Sequence, residues 1–130
     1  MVFNYDYTVS VSDVFCSSVQ IETATGPCQQ PHGYTYQVCV HLKAPYVNTN
    51  TWEVDYLELQ NTVSALCHQL DHTHLNDHPD FQKYPPTCEN LGKWFLQSLR
   101  STLGLLDTIS LKIDLSPKPG CLISVEESVK

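Results

Sequence analysis

Asp71 and His72 stand side by side in the chain, a carboxylate next to an imidazole. An imidazole titrates near neutral pH, and a neighbouring carboxylate orients it and raises its basicity, so the pair is suited to moving a proton. The same two residues could instead close a helix end, where a cation suits the helix dipole, and the two roles are compatible. His74 and His78 follow closely and read as loop histidines. Six cysteines, at 16, 28, 39, 67, 88 and 121, are widely spaced and form no CxxC pair. They read as reduced thiols, most of them small buried side chains.

The elements that must position these groups follow from periodicity. Tyr5, Tyr7, Val9 and Val11 alternate with polar residues, and so do Tyr34, Tyr36, Val38, Val40 and Leu42, each set the period of two of a strand with one face buried. The stretch Thr23 to Gly33 between them is a connecting loop, as is Pro45 to Thr51. Asp55, with Glu58 three residues on, is placed to cap a helix carrying Tyr56, Leu59, Val63, Leu66 and Leu70 on one side. A polar loop runs from Asp71 to Pro86. Thr87 then caps a second helix with Leu91, Trp94, Phe95, Leu99 and Leu103 on its apolar side, stopped at Gly104. Ile109, Leu111, Ile113 and Leu115 alternate again, and Cys121 to Val125 make a last short strand. The predicted fold is α+β: a four-stranded antiparallel sheet with two helices on one face, in the order β-β-α-α-β-β.

At 130 residues the chain is expected to form one domain with a real core. The net charge of −7, with only seven Lys and Arg scattered along the chain, argues against a nucleic-acid partner. Residues 1–7 lack the basic start and apolar run of a signal peptide, and no stretch reaches the roughly 18 apolar residues of a membrane span. A cytoplasmic protein with no membrane partner is expected.

Four short motifs then point to a family. Cys28-Gln29-Gln30-Pro31-His32-Gly33-Tyr34-Thr35-Tyr36 resembles a CxxxHGHxY element, and Val54-Asp55-Tyr56 resembles VDF. Leu70-Asp71-His72-Thr73-His74-Leu75-Asn76-Asp77 resembles LDHxxLND, and Pro86-Thr87-Cys88-Glu89-Asn90 resembles PTxEN. In this order they resemble the 6-pyruvoyl/6-carboxy-tetrahydropterin synthase family. The resemblance implies a tunnel fold (T-fold), in which trimers of such sheets close into an oligomeric barrel, often paired as a hexamer, with active sites between subunits. It also implies zinc on three histidines, a cysteine as general base supported by an Asp–His pair, and a glutamate that holds the pterin edge of a small-molecule substrate.

Carried over position by position, the resemblance gives Cys28, Asp71 and His72 as the catalytic group. Cys28 lies in a loop, as a reactive thiol would, although a small buried side chain is the commoner fate of cysteine. The metal site departs from the pattern. The FxxxH element reads Phe15-Cys16-Ser17-Ser18-Val19, and the HGH pair reads His32-Gly33-Tyr34. A catalytic zinc needs about three nitrogen, sulfur or carboxylate ligands, and Val19, His32 and Tyr34 do not supply them. Cys16 and His41 are ligand types at unmatched positions. No bound zinc and no other cofactor is expected, and Val19, His32 and Tyr34 become expected substrate contacts. Leu115 falls where the family has its pterin-holding glutamate; Asp114 beside it would serve only if a bulge turned it to the other face. Thr87 is a further expected pocket contact.

Three functional readings follow. The first is a divergent enzyme repurposed for metal-independent acid–base chemistry (cyclisation, elimination or isomerisation) on a small, non-pterin metabolite. The second is a family lyase acting on 7,8-dihydroneopterin triphosphate. The third is an inactive homologue kept as a binding or assembly protein.

Overall fold

The structure, a computed structural model, describes residues 1–21, 26–47 and 54–128. The predicted connecting stretches Thr23 to Gly33 and Pro45 to Thr51 lie partly outside these residues. Strand β1 (Asp6–Val19) pairs antiparallel with β2 (His32–Pro45) over fourteen residues, Asp6 opposite Pro45 and Val19 opposite His32. Helix α1 (Tyr56–Leu70), the short strand β3 (Thr73–His74) and helix α2 (Cys88–Leu103) follow, then β4 (Ser110–Ser116) and β5 (Ile123–Glu126). The sheet order is β3-β1-β2-β4-β5. It has five strands rather than the expected four, and it is mixed, because β3 runs parallel to β1 at Ser17 and Ser18. A two-residue ladder carries no readable alternation, which is why the sequence shows only a loop there.

Both helices pack on one face, α1 over β1 and α2 over β4 and β5. The strands send Phe15, Tyr36, Val38, Val40, Leu42, Leu111, Ile113 and Leu115 into the core. The helices answer with Leu59, Val63, Leu70, Leu91, Phe95 and Leu99, all buried. Each such side chain contributes about 1.5–3 kcal/mol by leaving water. Phe15 stacks on Tyr36 with ring centroids 4.7 Å apart. At Gly92 the two layers come so close that an added Cβ would lie 2.5 Å from Val125 Cγ2.

The predicted caps form. Asp55 Oδ1 accepts from the amides of Leu57 and Glu58, and Thr87 Oγ1 from that of Asn90. Gly104 closes α2 in the left-handed conformation, φ 59°. The C-terminal segment is tied down by Arg100, whose Nε and Nη2 donate to the two carboxylate oxygens of Glu127 at 2.8 Å each. Among the described residues no helix is long and apolar enough to cross a membrane.

Candidate active site

Helix α1 stops at Leu70 because the chain must turn there to run beside β1. Asp71 takes an extended conformation, and His72 enters the left-handed region at φ 57°. It is the one non-glycine residue with positive φ among those described. That conformation costs an L-residue on the order of 1–2 kcal/mol, so the surroundings must impose it. They do so through main-chain hydrogen bonds to the edge of β1. The Cys16 N–H donates to Asp71 Oδ1 at 2.8 Å, and the His72 N–H donates to the Cys16 carbonyl at 2.6 Å. The Ser17 hydroxyl donates to the Leu70 carbonyl, as does Thr73 Oγ1. Further along, Gln20 and Asn76 exchange hydrogen bonds of 2.8 and 2.7 Å, and Leu75 is buried. The Leu70–Asp77 motif is thus a seam stitched along β1.

Asp71 Oδ2 lies 2.9 Å from His72 Nδ1. The Cys16 amide, with the His72 ring second, holds the Asp71 carboxyl below the usual carboxylate range. An ionised Asp71 accepts a hydrogen bond from Nδ1–H, which leaves Nε2 as the basic nitrogen. The His72 ring is 82% exposed and points that nitrogen at whatever docks here. Beside it lies a cavity of about 560 Å³ lined by Cys16, Ser18, Tyr34, Thr35, His72 and His74. Tyr34 borders the same cavity from β2, while strand alternation turns its ring to the face opposite the Cys16 thiol and Thr35. Cys16 is the residue that sequence reasoning passed over. Its amide anchors the base, and its exposed thiol, 3.5 Å from Thr35 Oγ1, faces the same cavity. The available signal was its place in the FxxxH element, three residues before Val19.

The positions expected to hold zinc in the family also come together. Val19 is opposite His32 in the β1–β2 register, and Tyr34 is two residues on, so all three share the helix-covered face. The His32 and Tyr34 rings meet edge to face at 4.7 Å, and Tyr34 meets Tyr36 the same way at 5.7 Å. His32 Nδ1 donates to the Gln30 carbonyl at 2.8 Å, which leaves Nε2 with the lone pair. These residues do not fit a catalytic zinc: Val19 is a buried isopropyl group, Tyr34 a phenol, and His32 the one imidazole. Cys16 and His41 cannot complete the set, since strand alternation turns both to the opposite face.

The other expected positions fare differently. The backbone of Cys28 lies in a 3-10 turn at Gly26–Gln29, and its side chain is outside what is described. Thr87 spends its hydroxyl on the α2 cap; the next residue, Cys88, adds to the burial that pushes the Tyr36 phenol up. Leu115, expected at the position of the family's pterin-holding glutamate, is fully buried on the face it shares with Val38 and Ile123. The β2–β4 register is continuous, so no bulge brings Asp114 round; it stays on the uncovered face, bonded to His41 and Ser124.

Comparison with known proteins now decides the family. Residues 8–128 match the family model described as 6-pyruvoyl tetrahydropterin synthase. The chain belongs to this family. A curated relative, 6-carboxy-5,6,7,8-tetrahydropterin synthase of Bacillus subtilis (strain 168), is 30% identical over 88 residues. That match covers 65% of this chain and 58% of the relative's length. Among solved structures, Caenorhabditis elegans 6-pyruvoyl tetrahydropterin synthase superposes with a TM-score of 0.80, at 20% identity, over 98% of this chain and 100% of that one. The Plasmodium falciparum 6-pyruvoyl tetrahydropterin synthase gives 0.72, at 18% identity, over 95% and 99%. These two likenesses establish the fold. The described chain keeps the α+β synthase fold while departing from the expected zinc ligands at Val19 and Tyr34.

Proposed function

We propose that this chain is a divergent tetrahydropterin-synthase-like enzyme that works by proton transfer without zinc, on a small metabolite other than a pterin. The observation that carries the reading is the Asp71–His72 pair, held against β1 in a strained conformation beside a cavity that Tyr34 also lines. Strain maintained by several hydrogen bonds at a single exposed histidine is costly, and such strain gathers at working sites. His72 Nε2 would take a proton from the substrate, Asp71 would hold the ring, and Tyr34 and His32 would polarise a substrate oxygen. Val19 would form an apolar wall, and Cys28 or Cys16 would supply the acid that returns the proton. A cyclisation, elimination or isomerisation needs no more than this.

The same reading includes a homo-oligomer, trimer or hexamer, in the cytoplasm. Among the described residues β1 pairs on its outer side only with Thr73 and His74, so most of that edge is available to a second copy.

The decisive experiment compares untargeted metabolite profiles of cells carrying the native chain with those carrying His72→Ala. A small molecule that accumulates only with the variant is the expected result and identifies the substrate. Full replacement of the native chain by the variant would leave the binding or assembly role instead. A second reading, a lyase on 7,8-dihydroneopterin triphosphate, is favoured by the Bacillus relative's activity in the same family. Incubation with that compound, followed by chromatography, separates the two: side-chain loss supports the lyase, and an unchanged substrate supports the first reading.

A further inference from the structure

The face of the sheet turned away from the helices carries a second chain of chemistry. Four strands each contribute one residue to it: Ser10 of β1, His41 of β2, Asp114 of β4 and Ser124 of β5. Ser10 Oγ lies 2.7 Å from His41 Nδ1, His41 Nε2 lies 2.8 Å from Asp114 Oδ2, and Ser124 Oγ donates to Asp114 Oδ1 at 2.5 Å. The order of protons follows from the ends inward. Ser124 and His41 both direct hydrogens at Asp114, which keeps that carboxylate ionised. An ionised Asp114 accepts from Nε2–H, so Nδ1 carries the lone pair. The Ser10 hydroxyl must then donate to Nδ1, which leaves the Ser10 oxygen electron-rich and its proton already directed to a base.

That is the logic of an activated nucleophile: hydroxyl, base, and a third group that orients the base. The histidine uses its nitrogens in the reverse sense from the familiar serine hydrolases, which the chemistry permits because either nitrogen can serve as base. His41 and Asp114 are 28% and 21% exposed, so they are partly shielded from water, while Ser10 is exposed to a reactant. Rigid strands hold all four residues, and six residues of β1 separate Ser10 from Cys16, roughly 20 Å at strand spacing. A cavity of about 310 Å³ adjoins, lined by Thr8, His41, Lys43, Lys112, Asp114 and Glu126. Lys43 lies 3.9 Å from Asp6 and Lys112 stands opposite Glu126, so the charges around this cavity are balanced and suit an uncharged reactant.

We propose that Ser10, His41 and Asp114 form a nucleophilic site on the uncovered sheet face that accepts the acyl group of a small uncharged ester. Ser10 Oγ adds to the ester carbonyl while its proton passes to His41 Nδ1. The C–O bond to the leaving alcohol then breaks, and that alcohol takes the proton from Nδ1. Water, deprotonated in turn by Nδ1, adds to the acyl-serine, and the carboxylic acid leaves as Ser10 regains its proton. No oxidant or metal enters the balance.

The test uses the full chain with diisopropyl fluorophosphate, and separately with 4-nitrophenyl acetate and 4-nitrophenyl hemisuccinate, mapping adducts by peptide mass spectrometry. The expected result is an adduct on Ser10, formed at least as fast from the acetate as from the hemisuccinate. His41→Gln can still bridge Ser10 and Asp114 but has no basic nitrogen, and it should slow labelling of Ser10 by about 10²–10⁴-fold. Asp114→Asn should slow it comparably, by turning the imidazole to the tautomer with Nδ1–H facing Ser10. Nitrogen NMR of the native protein gives a readout independent of any variant: His41 should be protonated on Nε2 and bare on Nδ1. Adducts confined to other residues, variants that label as fast as the native chain, or a proton on Nδ1 would each overturn the site and leave the four residues as a structural brace.

Discussion

Placing histidines at Val19 and Tyr34 together should create a zinc site that the native chain lacks. The β1–β2 register sets residue 19 opposite His32 and residue 34 two positions along the same face, so three imidazoles would converge on the space the Tyr34 ring now fills. Val19 is 3% exposed, and losing its burial removes about 1.5–3 kcal/mol. Unfolding entropy of about 2.1 cal/mol/K per residue gives roughly 0.27 kcal/mol per degree for 130 residues. The metal-free double variant should therefore melt about 6–11 °C below the native chain. Zinc at a hundred times its dissociation constant returns about 2.7 kcal/mol, or about 10 °C. Differential scanning calorimetry with and without zinc reads both shifts. A native chain that gains the same 10 °C would overturn the metal-free reading, because its own side chains would then be holding the ion. A double variant that folds but gains nothing would refute the claim that the three positions converge.

Other expectations are more local. Glycine in place of His72 removes the strain of φ 57° and should raise stability by about 0.5–1 kcal/mol in urea titration while abolishing the proposed proton transfer. Gly92→Ala should cost about 1–2 kcal/mol, because the new methyl meets Val125 and Ile113, and adding Val125→Ala should recover most of it. Glu127 has its carboxyl held below the ordinary range, first by Arg100 and then by the Leu111 amide. Its folded-state pKa is thus lower than its unfolded one, so its contribution is present above the ordinary glutamate range and fades as pH falls through the lowered value. Glu127→Gln should melt several degrees lower at pH 7 and converge with the native chain once the pH has fallen below that lowered value.

Much of the architecture was legible because it rests on local signals. The alternation in β1, β2 and β4 and the caps at Asp55, Thr87 and Gly104 each act over a few residues, and each appears where the sequence places it. What escaped was set by contacts distant in sequence. Thr73 and His74 became a strand only because Ser17 and Ser18 were beside them. Leu115 could be aligned with a substrate anchor, but its depth in the core depends on Val38 and Ile123, which no local pattern reports. Asp71 and His72 stood out as an interacting carboxylate–imidazole pair from adjacency alone, and they lie 2.9 Å apart. The role of Cys16 did not stand out, because it works through its backbone, and backbone atoms are the same in every residue type.

That last property bears on how such a protein changes. The groups that fix the acid–base pair at β1 are the amide and carbonyl of residue 16, which no substitution there other than proline removes. The side chains facing the cavity, including the thiol of that same residue, can be exchanged one by one without unseating the base. The placement of the Asp71–His72 pair and the lining of the cavity are thus encoded in separable parts of the chain, and mutation can alter the lining while the pair stays in place.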